Sequence, residues 1–130
     1  MEIVNVLVAA AAAWVFGAVW YMVLSKPWMR VSGVKIDEQT GRPMGGALPF
    51  ILSAVAMIVV AGFMRHIFAM TAIDTIGKGF VAGLGIGLFF ITPWTMINNA
   101  YPGRPFMLTV IDGGYTVGGC AIIGAILMAF

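Results

Sequence analysis

One carboxylate, Asp112, stands inside the apolar run that extends from Phe106 to Phe130, and a tight polar turn, Gly103-Arg104-Pro105, leads into that run. If Phe106 marks a membrane boundary, the helical rise sets Asp112 roughly 9 Å inside a hydrocarbon core of about 30 Å. An Asp at the centre of a spanning helix costs on the order of 2.5 to 3.5 kcal/mol on insertion scales, so neighbouring elements have to supply polar partners. Two chemistries suit such a group: hydrogen-bonding glue between helices, or a site for a proton or cation. A second candidate is His66, with Gly62 one helical turn before it and Met70 one turn after. A flat macrocycle could approach the helix at Gly62 with the imidazole as axial ligand, so haem or pigment ligation by His66 is the cofactor chemistry these residues suggest. No second ligand or haem-attachment motif accompanies it, and the expectation is no bound cofactor. The chain offers no nucleophile and base pair, no metal-ligand cluster and no phosphate loop, so neither a metal site nor an enzyme is expected.

The elements that must hold these groups are membrane spans. Of 130 residues, 62% are hydrophobic and 9% charged, with a mean hydropathy of +1.03, whereas soluble proteins carry about 25% charged residues. Composition therefore predicts an all-α fold, an integral membrane bundle of four transmembrane helices in a single domain over residues 1–130, with the lipid bilayer as its solvent. The spans cover about 3–24, 47–70, 76–98 and 106–130. A net charge of +2, carried mostly in loops, bears on orientation and makes no case for nucleic acid. Cys120 is the sole cysteine, which excludes an intrachain disulfide.

The first span follows Glu2 with no Lys or Arg before it, and it exceeds the roughly 7 to 15 apolar residues of a secretory signal, so it is expected to remain. Ala9, Ala13 and Gly17 share one of its faces, a small-residue spacing that lets helices approach closely in lipid. It ends in Trp20-Tyr21 and then Lys26-Pro27-Trp28, residues suited to the headgroup level. Pro27 can open a short interfacial helix carrying Trp28, Met29 and Val31, while the segment from Asp37 to Pro43 reads as solvated turn. Pro49 fits the first turn of the second span, and Asp74 can cap the third. Within the third span Gly79, Gly83 and Gly87 recur every four residues, with Gly85 off the line, and Gly114 and Gly118 repeat the spacing in the fourth. This is the signature of close helix packing. Pro93 removes its own donor and frees the carbonyl of Phe89, so a kink is expected.

Four alternating spans bring distant residues to one leaflet. Trp20, Tyr21, Lys26, Thr95, Asn98, Asn99, Arg104 and Asp112 form a predicted polar intramembrane cluster, with Tyr21 and Thr95 closest in depth to Asp112. Arg104 lies about 12 Å along the helix axis from Asp112, which makes a bridging group easier than a direct ion pair. Lys26, Arg30, Lys35, Arg42 and Arg104 share one side against Arg65 and Lys78 on the other, so the first side is expected to be cytoplasmic and both termini outside.

Gly17-Ala18-Val19-Trp20-Tyr21 with Lys26-Pro27-Trp28-Met29, and later Gly103-Arg104-Pro105 with Ile111-Asp112-Gly113-Gly114-Tyr115, resemble the bacterial membrane family catalogued as domain of unknown function 1761. Met22-Val23 stands where that family usually has Ser-Pro, and the link to Lys26 is shorter. The resemblance implies four spans in the bacterial inner membrane and a role for Trp20, Tyr21, Arg104 and Asp112, but no reaction. The functional expectation is an accessory or structural subunit that packs into a homo-oligomer or a larger membrane complex. A proton- or cation-coupled transporter or channel using Asp112 is the alternative.

Overall fold

The computed structural model describes residues 2–130 and is all-helical. Its helices are α1 (Glu2–Val23), α2 (Ser25–Ser32), α3 (Leu48–Ala69), α4 (Ile76–Ile86), α5 (Thr92–Ala100) and α6 (Phe106–Leu127). A π-helical turn, Gly87–Ile91, joins α4 to α5. Four stretches are long and apolar enough to cross a membrane: Ile3–Val23, Leu48–Ala69, Ile76–Ala100 and Phe106–Leu127. The third therefore runs slightly past the expected end, stopping only before Pro102. The fourth stops short of the terminus in a tightened turn, where Met128 N–H bonds the carbonyl of Ala125.

Helix α6 stands between α1 and α4 and is the most buried of the spans. Helix α3 packs chiefly on α1, with only its edge on α6. The contact between α4 and α6 is backbone against backbone. A Cβ added to Gly79 would collide with the carbonyl of Gly124, one on Gly83 with that of Cys120, and one on Gly87 with that of Thr116. In lipid, where apolar side chains gain little by leaving the solvent, such close approach supplies the packing attraction. Gly124 completes this seam. Gly114 and Gly118 do not, because they face α1, where the rings of Trp20 and Phe16 fill the space a side chain would need.

Between α1, α3 and α6 lies a core of small and branched residues. Ala9, Ala13, Ala61, Ile123 and Leu127 are all but inaccessible. Asn5 is buried among them and donates from Nδ2 to the carbonyl of Leu127 at 3.4 Å. Higher on the same helix Trp14 donates to Ser53 Oγ at 2.9 Å and to the carbonyl of Phe50 at 3.1 Å, fastening the first turns of α3 to α1.

The third span widens before its proline. Pro93 cannot donate to the preceding turn, and the chain accommodates this with a π turn just before it, in which Thr92 N–H reaches the carbonyl of Gly87, five residues back. Thr92 Oγ1 lies 2.6 Å from the same carbonyl, and Thr116 Oγ1 on α6 lies 2.8 Å from Thr92 Oγ1. The Thr92 N–H and both hydroxyls thus gather at the Gly87 carbonyl, while the Phe89 side chain is exposed.

Two connections differ from expectation or refine it. Thr75, rather than Asp74, caps α4, its Oγ1 accepting from Lys78 N–H at 3.1 Å, and Asp74 instead pairs with Lys78 Nζ at 3.1 Å. A hydroxyl in the residue directly before the helix is better set to reach the third amide. Helix α2 ends at Gly33, whose φ of 73° favours glycine. The following loop doubles back through a single bridge between Ile36 and Pro43.

Candidate functional site

The residues nearest Asp112 come from α1. Tyr21 Oη donates to Asp112 Oδ1 at 2.6 Å, a length suited to a phenol meeting a carboxylate. One residue earlier on each helix, Trp20 Nε1 donates to the carbonyl of Ile111 at 2.8 Å. The two bonds lock α1 to α6 in register. Small residues make the approach possible: the Trp20 ring lies over Gly114, and a Cβ on Gly17 would come within 2.6 Å of the Tyr115 ring. Tyr115 in turn meets Tyr21 edge to face at 5.5 Å and 77°. The span thus surrounds its carboxylate with an aromatic wall and one hydroxyl donor.

Asn99 organises the other wall. Its backbone carbonyl accepts from Arg104 N–H at 3.0 Å, its Oδ1 lies 3.5 Å from Arg104 Nη1, and its Nδ2 donates to Thr109 Oγ1 at 3.3 Å. Gly103, with φ at 80°, supplies the turn between them. Asn99 is buried while Arg104 is exposed, so the amide holds the base of the loop and the guanidinium stands at its rim.

Between these walls is a cavity of about 380 Å³, open to the surface and lined by Tyr21, Trp28, Ser32, Asn99, Arg104, Leu108 and Asp112. Helix α2 closes one side, with Trp28 edge-on to Tyr21 at 6.1 Å and 75°. A second hollow of about 230 Å³ between α1 and α3 is lined by Leu7, Ala10, Ala11, Trp14, Ala54 and Ile58, and its surface is almost wholly apolar. Of these two cavities, the first carries the polar groups.

Of the residues singled out in the sequence, Trp20, Tyr21, Asn99, Arg104 and Asp112 come together here. Thr95 does not: its Oγ1 turns back to the carbonyl of Ile91 at 3.0 Å within its own helix. Asn98 and Lys26 are exposed and stand outside the lining. Trp28 and Ser32 belong to the cavity, although the sequence reading gave Trp28 only an interfacial anchoring part. Asn5 was overlooked, and the signal was available, since an amide within an apolar run poses the same question as Asp112. His66 is exposed on α3, its ring 5.6 Å from that of Phe63, and Gly62 faces Val6 of α1. Among the described residues no three His, Cys, Asp or Glu side chains converge.

A family model described as "Protein of unknown function (DUF1761)" matches residues 4–128. No curated protein and no solved structure matches the chain.

Proposed function

The chain belongs to the DUF1761 family of unknown function, and because membership brings no reaction with it, we propose that the protein is a non-catalytic accessory subunit acting by assembly within the membrane. The observation that carries this reading is the 2.6 Å bond from Tyr21 to Asp112. The carboxylate inside the fourth span is engaged in joining two helices, as an internal fastener requires. Support also comes from the surface: α3 and the third span are mostly uncovered within one chain, which leaves broad faces for lipid, a second copy or another subunit. The proposed setting is the bacterial inner membrane, with the end bearing α2 and Arg104 toward the cytoplasm.

Crosslinking in native membranes, followed by purification in lipid nanodiscs and mass measurement, tests the proposal. A homo-oligomer or a stoichiometric partner is expected. A monomer that purifies alone from crosslinked membranes would count against it. The cavity favours one second reading, coupled transport through an oligomer, because Asp112 lies on a cavity open to the surface. Under that reading Asp112→Asn assembles normally yet abolishes a proton flux seen for the parent in liposomes.

A further inference from the structure

We propose that the cavity beside Asp112 binds a small organic zwitterion, ammonium end innermost. The inference concerns this cavity alone and stands whether or not the chain assembles with a partner.

The inner end has the chemistry of an ammonium site. Asp112 Oδ1 accepts from Tyr21, and among the described residues no donor occupies Oδ2. The carboxylate is half-buried and lines the cavity, where a ligand can reach it. Tyr21 and Trp28 stand nearly perpendicular beside it, and aromatic faces next to a carboxylate attract a cation through the ring quadrupole as well as through charge. The outer end has the opposite chemistry. Arg104 offers a guanidinium whose geometry suits a carboxylate or phosphate, and among the described residues only one guanidinium nitrogen is engaged, at the long distance of 3.5 Å to Asn99.

The order of these charges selects the ligand. A bare cation has to pass Arg104, and a bare anion meets Asp112 at the base. A molecule carrying both charges satisfies both ends and adds no net charge to a cavity that already holds one of each. Helix α6 begins at Phe106, so Asp112 lies about 9 Å along the axis from the helix start, and Arg104 stands in the turn beyond that start, an interval that suits two charges joined by a short carbon chain. The volume of about 380 Å³ suits a small molecule. The same order disfavours an ordinary bilayer lipid. In phosphatidylethanolamine the phosphate lies deeper than the ammonium, whereas here the anion site is at the mouth and the cation site at the base. The ligand therefore enters from the water.

The test titrates 4-aminobutyrate, butylamine and butyrate by calorimetry into the full chain in phosphatidylglycerol nanodiscs. The zwitterion is expected to bind at least about tenfold more tightly than either single-charge relative, since each lacks one charge-assisted contact. Leu108→Trp, which fills the cavity without removing either charge, and Arg104→Gln should each weaken it by about tenfold or more. Equal binding of all three probes, or of butylamine and 4-aminobutyrate, would overturn the proposal, as would retention of full affinity in a folded Leu108→Trp or Arg104→Gln chain. Should both variants fail to fold, the ranking of the three probes on the parent decides. Exchanging the nanodisc lipid for phosphatidylethanolamine should leave the affinity unchanged. A tenfold drop there would mean that a bilayer headgroup occupies the cavity, and entry from the water would be wrong.

Discussion

Tyr21 and Asp112 meet at 2.6 Å, and the substitutions that disturb this bond differ in what they leave behind. Asp112→Asn keeps an oxygen where Tyr21 donates, so its effect on unfolding in detergent should stay near the average of about 0.6 kcal/mol found for hydrogen bonds between membrane helices. Asp112→Leu removes every acceptor and leaves the hydroxyl unsatisfied, at about 1 to 3 kcal/mol. Tyr21→Phe removes the donor, and combined with Asp112→Leu it should cost less than the two single changes added, because both delete one shared contact. Strict additivity in that cycle would show that the pair is not coupled. Asp112 was conspicuous in the sequence because a charge in an apolar run demands an explanation. Its partner was not, since Tyr21 and Thr95 lie at similar depth and only the rotation of each helix decides which one faces α6.

At the level of the helices, the glycines divide by what they touch. Gly83 faces the Cys120 carbonyl, a backbone atom that cannot turn aside, whereas Gly118 faces the Phe16 ring, whose nearest atom would lie 2.7 Å from an added Cβ. Gly83→Leu should therefore destabilise by about 3 kcal/mol or more, while Gly85→Leu, with only Phe89 at 4.0 Å, should be mild. Gly118→Ala should be rescued by Phe16→Leu, and no trimming of a side chain should rescue Gly83→Leu. Urea or heat unfolding of purified chains checks all four, and equal tolerance at Gly83 and Gly85 would dismiss the seam. Spacing alone announced close packing but could not assign partners: Gly79, Gly83 and Gly87 meet the backbone at Gly124, Cys120 and Thr116 in turn, and Gly114 and Gly118 serve α1. One periodicity had merged two interfaces.

For the molecule as a whole, the end formed by α2, the 33–47 loop and Arg104 carries Lys26, Arg30, Lys35, Arg42 and Arg104, and that excess is expected in the cytoplasm. In a Cys120→Ser background, Thr75→Cys should react with an impermeant thiol reagent on intact cells and Glu38→Cys should not; the reverse pattern inverts the topology. Four spans were legible because their apolar lengths match the bilayer. The wide turn at Gly87–Ile91 was not, since Pro93 announces a disturbance without saying whether the helix will bend, break or widen. Its consequence is one of phase. A π turn accommodates one residue more than an α turn, so every side chain beyond it is rotated about 100° from where an uninterrupted helix would carry it. Asn99 reaches Thr109 and Arg104 only with that offset. Deleting Leu88 removes the extra residue and should leave Asn99 in place. Pro93→Ala, which lets all the residues wind as a regular helix, should swing Asn99 away from α6, so that a locally more ordinary span would present the cavity with the wrong face.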